Sequence, residues 1–544
     1  MPPIERRTLL KAGLVAPALL TSGRVFAQGD ARPVIKVAVQ RIVNAGVLDV
    51  LREQSNVGER IFASIFETLI ARNHQGCGEM IPGLATEWRR IDDRTVELNL
   101  RRGVKFHNGD ELTADYVIFS FGPERMFGPE TGMASQGVLF SQTAPARGEG
   151  LPPEVPAVAK RMWPSLEKIE AVDRYTVRFV NKTPDVTLEG RIQRYGSEIV
   201  SKRGFMEAAN WLAFVRQPVG TGPYRVREFK ADQILVLEAF DEYWGGRPPA
   251  REVRFIEIPE VTSRVNGLFT GEFDFSCDLP PDQIPGVERN ARFEVAGGLI
   301  GNHRLTVFDK THPALVDPRV RQAMTHAIDR QAIVDSLWSG RTKVPNGLQW
   351  EYYGEMFHSD WQVPAYDPAK ARELLRAAGY KGDPIPFRLL NNYYTNKVAT
   401  AQVNVAMWSA VGLNVQIQMR ENWQQIFDKS TERGVRDWSN SAPFADPVSS
   451  IVNQHGPAGQ QQQVGEWTNA EFNTLSGELE TSTDRARRKA VFRRMLEIAE
   501  REDPAYTVLH QNATFTGKRK DIQWKPAPSF VMDLRATNFV PARS

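Results

Sequence analysis

The sequence predicts a mixed α/β protein of at least two lobes, and three observations carry that reading. The chain has 544 residues, beyond the ~250–300 at which one core usually stops growing. Strand-like alternation and helical spacing are mixed along it, with no internal repeat. Its 41% hydrophobic and 24% charged content is ordinary for a globular chain. The net charge of +3 is small for this length. It argues against a nucleic-acid partner, because phosphate binding calls for a concentrated basic surface.

The N-terminus reads as an export signal rather than as part of the fold. It has a charged start, a short apolar run from Ala12 to Leu20, and Val25-Phe26-Ala27 ahead of Gln28. Small residues at positions −3 and −1 predict cleavage after Ala27, and Arg6-Arg7-Thr8-Leu9-Leu10-Lys11 resembles a twin-arginine signal. The run falls short of the ~20 residues of a membrane span, and no cysteine lies near the cut to carry a lipid anchor. A periplasmic location is expected. Cys77 and Cys277 then remain, too few for a disulfide framework, and are read as separate thiols.

The stretch "LNLRRGVKFHNGDELTADYVIFSF", Leu98 to Phe121, gathers His107, Asp110, Glu111 and Asp115. Val96, Leu98 and Leu100 alternate as in a half-buried strand, and Val104 and Phe106 continue the alternation. Asn108-Gly109 suits a tight turn. Thr113 sits where a helix N-cap belongs, and Asp115 complements the helix dipole. Val117, Ile118 and Phe121 supply the apolar face. The loop is scaffold, with His107 packed beside a turn. Gly-Pro-rich Gly122 to Pro164 reads as a surface excursion. Gly220-Thr221-Gly222 reads as a tight turn into the strand of Tyr224 and Val226, since no phosphate-loop lysine follows. Asp317-Pro318, Asp329 and Asp367-Pro368 are helix starts, closed by Gly340 and Gly379. "GPAGQQQQVGEW", Gly456 to Trp467, reads as an exposed loop. "DRARRKAVFRRM", Asp484 to Met495, reads as a solvated helix face.

The parts of an enzyme are missing from the pattern. There is no G-x-S-x-G elbow and no H-E-x-x-H pair. Ser165-Leu166-Glu167-Lys168 matches the S-x-x-K of penicillin-binding enzymes but lacks its companion motifs. The eight histidines are scattered, without metal-ligand spacing. No catalytic residue, metal site or cofactor is expected.

"ATEWRRIDDRTVELNLRRGVKFHNGDELTADYVIFSF" closely resembles the marker segment of extracellular solute-binding proteins of family 5, the peptide/nickel class of ABC-importer capture components. Trp88, Leu100-Arg101, Val104 to Gly109 and Leu112 to Asp115 fall on it in order, with Tyr116 in place of the usual second aspartate. Two further segments match, Pro218 to Phe275 (through "GTGPY", "DEYWGGRPP" and "SRVNGLFTGEFDF") and Asp317 to Gly347. The resemblance implies a two-lobed periplasmic-binding-protein (Venus-flytrap) fold of the large peptide-binding type, with an extra inserted domain. It implies lobe I from residues 28–70, 173–278 and 504–544, an inserted domain II at 71–172, and lobe III at 279–503, after a signal peptide at 1–27.

The same resemblance implies a monomer that closes on a small-molecule or peptide ligand and docks on an ABC permease in the inner membrane. In peptide-binding members, an aspartate three residues after a tryptophan pairs with the ligand's α-ammonium. Three on from Trp438 stands Ser441. The anchor is therefore absent or moved to Asp446 or Asp437, which puts a simple peptide in doubt and favours a peptide-like or other amphoteric solute. Trp438 could stack on the ligand. Asn391, Asn392, Tyr393 and Lys397 fall on the family loop that reaches the ligand. His303 and Arg304 fall on a strand facing the cleft, and Lys397 and Arg304 suit an anionic group. Dipeptide, oligopeptide, opine, glutathione and nickel chelate all stay open. The alternatives are a hydrolase using Ser165 and Lys168, or a periplasmic chaperone or chemoreceptor on the same fold.

Overall fold

The computed structural model describes residues 30–76, 78–128, 151–390 and 393–541. The expected export signal, Cys77, Asn391 and Asn392 lie outside the described residues.

Strands of high apolar content assemble into one ten-stranded sheet. Its spatial order is Val415–Arg420, Ile385–Leu390, Val435–Ser441, Phe293–Phe308, Tyr506–Arg519, Phe275–Ser276, Val34–Val39, Glu252–Glu257, Ile234–Ala239 and Tyr224–Lys230. Ile385–Leu390 is buried along its whole length, and Val34–Val39 nearly so, as sheet strands covered on both faces must be. Chain order and spatial order differ widely. The C-terminal strand Tyr506–Arg519 pairs with Phe275–Ser276 on one side and Phe293–Phe308 on the other. The two longest strands thus lie at the middle of the sheet and join its halves. One apolar core cluster packs around Val37, Leu48, Phe106 and Phe255, and a second around Phe308, Met324, Ile385 and Trp408.

A separate four-stranded antiparallel sheet runs Ala85–Arg90, Thr95–Leu100, Thr176–Asn181, Leu166–Asp173. Its strand Thr176–Asn181 lies beyond 172, where the inserted domain was expected to end.

The loop of His107 is scaffold, as its residues implied. The Thr95–Leu100 strand ends before Val104 and Phe106, which are buried in a turn-rich segment bridged only at Lys105 and Glu111. Gly109 takes a φ of 87°. His107 is buried, its Nδ1 accepting from the Gly220 amide at 3.3 Å and its Nε2 facing the Gly222 carbonyl at 3.0 Å. Burial pushes its pKa down to about 4, so the ring is a neutral spacer. Gly220 and Gly222 are needed there, because a Cβ at either would meet the Ile65 carbonyl group at 2.1 and 2.6 Å. Thr113 does cap the helix Ala114–Ser120 in position, but its hydroxyl makes no capping hydrogen bond. The aspartates perform as expected: Asp317, Asp329 and Asp367 accept from first-turn amides of Pro318–His326, Arg330–Trp338 and Pro368–Ala377.

Three segments differ from expectation. Gly122 to Pro164 is more than a surface excursion. It holds the helix Glu154–Met162, whose Val155, Val158, Ala159 and Met162 are buried at helical spacing. Buried ion pairs Arg125–Asp49 and Arg52–Glu154, both at 2.8 Å, tie it to the residues before the Asn56–Phe62 helix. The run at 456–467 is only partly exposed: Pro457, Ala458, Gln463 and Gly465 face solvent, but Gln460 and Gln461 are buried. The Gln461 amide donates to the Phe308 and Ala505 carbonyls at 3.0 and 2.8 Å, which offsets its desolvation. In the Arg485–Glu497 helix, Arg488 faces inward, whereas Arg485 and Arg487 stay in solvent.

Candidate binding cleft

The cleft is assembled from chain segments far apart in sequence. Gln54, Ser55, Asn56 and Glu59 come from the start of the Asn56–Phe62 helix, and Arg72 from the short strand Ile70–Arg72. Arg161 and Arg194 come from the C-terminal ends of the helices Glu154–Met162 and Leu188–Gln193. The long strand Phe293–Phe308 adds Ile300, Gly301 and Asn302, and the strand Val435–Ser441 adds Trp438, Ser439 and Ser441. Tyr195, Tyr393, Tyr394 and Trp423 complete an aromatic lining. The space measures about 1130 Å³, counting the part open to solvent.

Polar contacts already cross it. The Asn56 side-chain amide donates to the Ser439 hydroxyl at 3.2 Å, and the Asn56 backbone N–H reaches the Tyr393 hydroxyl at 3.4 Å. Asn302 donates to Ser439 and Ser441 at 3.2 and 2.7 Å, and Ser439 donates to Tyr394 at 3.0 Å. The wall therefore offers hydroxyl and amide groups in a connected array, over aromatic faces. Such a surface can offer hydrogen bonds and ring faces to a polar organic solute.

Trp438 and Tyr393 are in the wall. Trp438 packs edge-on against Trp423 at 4.7 Å between ring centres, with the Arg436 guanidinium 4.5 Å from its ring.

Asp437 is turned elsewhere. Strand alternation puts it on the face opposite Trp438, where it pairs with Arg304 at 2.5 Å. Arg304 lies 3.8 Å from the Tyr394 ring centre, and both members of the pair are buried. Lys397, the first residue of the helix Lys397–Ala410, is buried in the same cluster, its Nζ 5.3 and 5.2 Å from the Tyr393 and Tyr394 rings. Burial pushes its pKa well down, with Asp437 acting the other way. Arg304, Asp437 and Lys397 thus form a buried cluster of two basic groups and one carboxylate behind the aromatic wall, in which Arg304 Nη1 and Lys397 Nζ make no hydrogen bond.

Asp446 is also committed. It caps the turn Pro447–Ser449 and receives two hydrogen bonds, each 2.9 Å, from the buried guanidinium of Arg488. His303 lines a second space of about 770 Å³ that shares Arg72, Ile300 and Gly301 with the main cleft. Its ring stacks on Trp350 at 4.2 Å, and burial pushes its pKa down to about 3.

Sequence reasoning missed Asn56, Glu59, Arg72, Arg161, Arg194 and Trp423. Arg161 had a legible signal, the spacing of Val155, Val158, Ala159 and Met162, which announces a helix inside the Gly-Pro-rich stretch. The others reach the cleft only through tertiary folding.

The hydrolase parts are not brought together. Ser165 shares a hydrogen bond of 2.7 Å with Thr183, and Lys168 pairs with Glu170 at 2.7 Å on the exposed edge strand Leu166–Asp173. Among the described residues, no group of three or more His, Cys, Asp or Glu is placed to hold a metal ion. Cys277 is a buried free thiol, and burial pushes its pKa up to about 11. Among the described residues no helix is long and apolar enough to cross a membrane.

Comparison with known proteins agrees with this geometry. The chain is 25% identical over 473 residues to a dipeptide-binding protein of Escherichia coli (strain K12), covering 82% of this chain and 84% of that one. It is 25% identical over 516 residues to the glutathione-binding protein GsiB of Pectobacterium atrosepticum, covering 90% of each. The crystal structure of a dipeptide binding protein from Pseudoalteromonas sp. SM9913 in complex with Met-Leu superposes with a TM-score of 0.80 at 21% identity, covering 93% of this chain and 99% of that one. The fold is therefore the two-lobed fold the sequence implied. Residues 79–460 match the model of bacterial extracellular solute-binding proteins, family 5 (middle region), and the chain belongs to that family, as a substrate-binding component of the peptide/nickel type of ABC importer.

Proposed function

We propose that this protein captures a peptide-like or other small amphoteric solute in the periplasm, between its two lobes, and hands it unchanged to an inner-membrane permease. One observation carries the reading: an aromatic and hydroxyl-lined cleft is walled on one side by the central-sheet strands Phe293–Phe308 and Val435–Ser441 and on the other by the Asn56–Phe62 helix, the Ile70–Arg72 strand and the ends of the helices Glu154–Met162 and Leu188–Gln193. A solute bridging such walls favours the closed state by its differential affinity for closed over open. Closure excludes water and strengthens each polar contact to the guest.

The named relatives bind dipeptides and glutathione, which supports a ligand with peptide bonds. The carboxylates suggested as ammonium anchors, Asp437 and Asp446, are instead paired with Arg304 and Arg488. This weakens the case for a plain dipeptide held by its N-terminus. The reading includes export with removal of residues 1–27, which N-terminal sequencing of the periplasmic protein checks, and a monomeric state.

The test is thermal unfolding of the exported protein with a panel of dipeptides, oligopeptides, opines, glutathione and nickel chelates. A true ligand at a hundredfold excess over its Kd stabilises by about 2.7 kcal/mol, and the melting temperature rises accordingly. No shift with any member, together with turnover of a chromogenic ester or β-lactam, would replace capture by hydrolysis.

A further inference from the structure

We propose that the ion pair between Arg60 and Asp278 is a positioning device that ties the arrangement of the cleft wall to the joint between the protein's two apolar cores. The proposal rests on the capture reading and deepens it by naming residues outside the cleft wall that govern how tightly a guest is held.

The joint falls on one residue. Cys277 belongs to the first core cluster and Leu279 to the second. The Cys277 amide donates to the Ala38 carbonyl and the Leu279 amide to the Phe515 carbonyl, each at 2.9 Å. Both neighbours are thus tied to different strands of the central sheet, and the chain changes course at Asp278. That residue takes a φ of 59°, a left-handed conformation that aspartate tolerates when its short side chain bonds locally. Here the carboxylate accepts from the Arg60 guanidinium and, at 3.4 Å, from the Gln40 amide. Arg264, on the helix Val261–Thr270, holds the same stretch by donating to the Cys277 and Asp278 carbonyls at 3.1 and 3.2 Å.

Arg60 connects this joint to the cleft. It is buried in the helix Asn56–Phe62, whose Asn56 and Glu59 line the cleft. Asn56, one helical turn (about 5.4 Å) before Arg60, donates to Ser439 across the cleft at 3.2 Å. One short helix therefore carries the cross-cleft bond at one end and the grip on Asp278 at the other. The C-terminal segment makes a second link. Ser529 and Phe530 line both the cleft and a small space at the joint, whose wall includes Arg60, Cys277 and Asp278. This segment is bonded on both sides: the Gly301 amide donates to the Pro528 carbonyl at 3.0 Å, and the Met532 amide to the Arg60 carbonyl at 3.2 Å.

The ion pair and the cross-cleft bond are made together in this arrangement. Loss of the pair frees Asp278 to leave its left-handed conformation and releases the helix that reaches Ser439. Arrangements with parted walls then gain population, and a guest bridging the walls is held less tightly, because its affinity includes the cost of bringing them together.

The test measures capture from two probes, a tryptic digest of casein and glutathione, by the exported protein and two variants. Asp278→Asn keeps a side-chain acceptor and the tolerance for positive φ but removes the charge. Arg60→Met together with Asp278→Gly removes both charges, so that neither is stranded, and glycine takes the same φ freely. Captured species are recovered by gel filtration, weighed by mass spectrometry and timed as they leave after buffer exchange; scattering is recorded before and after capture. Both variants should release captured species about tenfold faster than the wild type and contract less on capture. If Asp278→Asn fails to fold, the double variant carries the same decision. Variants that melt at a lower temperature yet release and contract as the wild type does would reduce the pair to a structural contact, which overturns the assignment and leaves solute capture standing. A wild-type protein that takes nothing from either probe removes capture of peptide-like solutes, and the positioning role with it.

Discussion

Asp446 and Arg488 pose the question of charge at the scale of single residues. The sequence offered Asp446 as a ligand anchor, and its place in an aspartate–proline pair is equally the signature of a cap. The structure shows the cap, plus a two-bonded partner that no local pattern announces, since Arg488 lies 42 residues on. Asp446→Asn keeps a capping acceptor but strands the buried guanidinium. It should cost about 3 kcal/mol in urea unfolding, with ligand capture by the folded fraction unchanged. Glu53 makes a second case. Burial pushes its pKa up to about 7 from 4.5, against hydrogen bonds from Ser55 and the Ala45 and Asn44 amides. A carboxyl group raised in the folded state binds more protons there than in the unfolded chain, so its contribution to stability falls as pH rises from 4.5 to about 7. Glu53→Gln should therefore raise stability by about 3 kcal/mol at pH 8 and have little effect at pH 4.5, read as the difference between two denaturation series. His303, His455 and His510 act in the opposite direction, each pushed down to about 3 by burial from 6.5. Their contribution is complete above pH 6.5 and is lost on acidification toward 3, so the wild-type protein should show a falling urea midpoint below pH 6.

Among elements, those fixed by short-range chemistry were legible. Asp317-Pro318, Asp329 and Asp367-Pro368 each open a helix where the residues place it, because a carboxylate cap and a proline at the first position act within one turn. Elements whose character depends on distant partners were not. The glutamine run at 460–463 looks solvated by composition, yet two of its side chains are buried, with the Gln461 amide on carbonyls of strand residue Phe308 and of Ala505. A strand at His303 and Arg304 was implied by the family resemblance, but neither its extent, Phe293–Phe308, nor its place at the sheet's midline was. Its Gly297 has a φ of 134°, and a Cβ there would meet the Thr514 carbonyl oxygen of its neighbour at 2.0 Å. Gly297→Ala should lower unfolding stability by about 2–3 kcal/mol, a loss visible in the urea midpoint, because the backbone of the central strand pair has no room to yield.

For the whole molecule, fold class was legible long before the site. Length demanded more than one core, and three ordered segments resembling one family implied two lobes. The cleft was not legible, because Asn56, Arg72, Arg161, Arg194, Gly301, Tyr393, Trp423 and Trp438 meet only when a sheet with scrambled strand order brings their elements together. Of the residues named from sequence, Trp438 and Tyr393 reach the main wall, His303 reaches the adjoining space, and Arg304, Asp437, Lys397 and Asp446 are engaged inside the fold. The account's central claim is that both lobes close on one intact guest. Small-angle scattering of the exported protein, with and without a ligand found by thermal shift, tests it most directly when the ligand is afterwards recovered and weighed by mass spectrometry. The account predicts a smaller radius of gyration with ligand and a recovered mass equal to that added. Superimposable profiles, or a cleaved ligand, would contradict it.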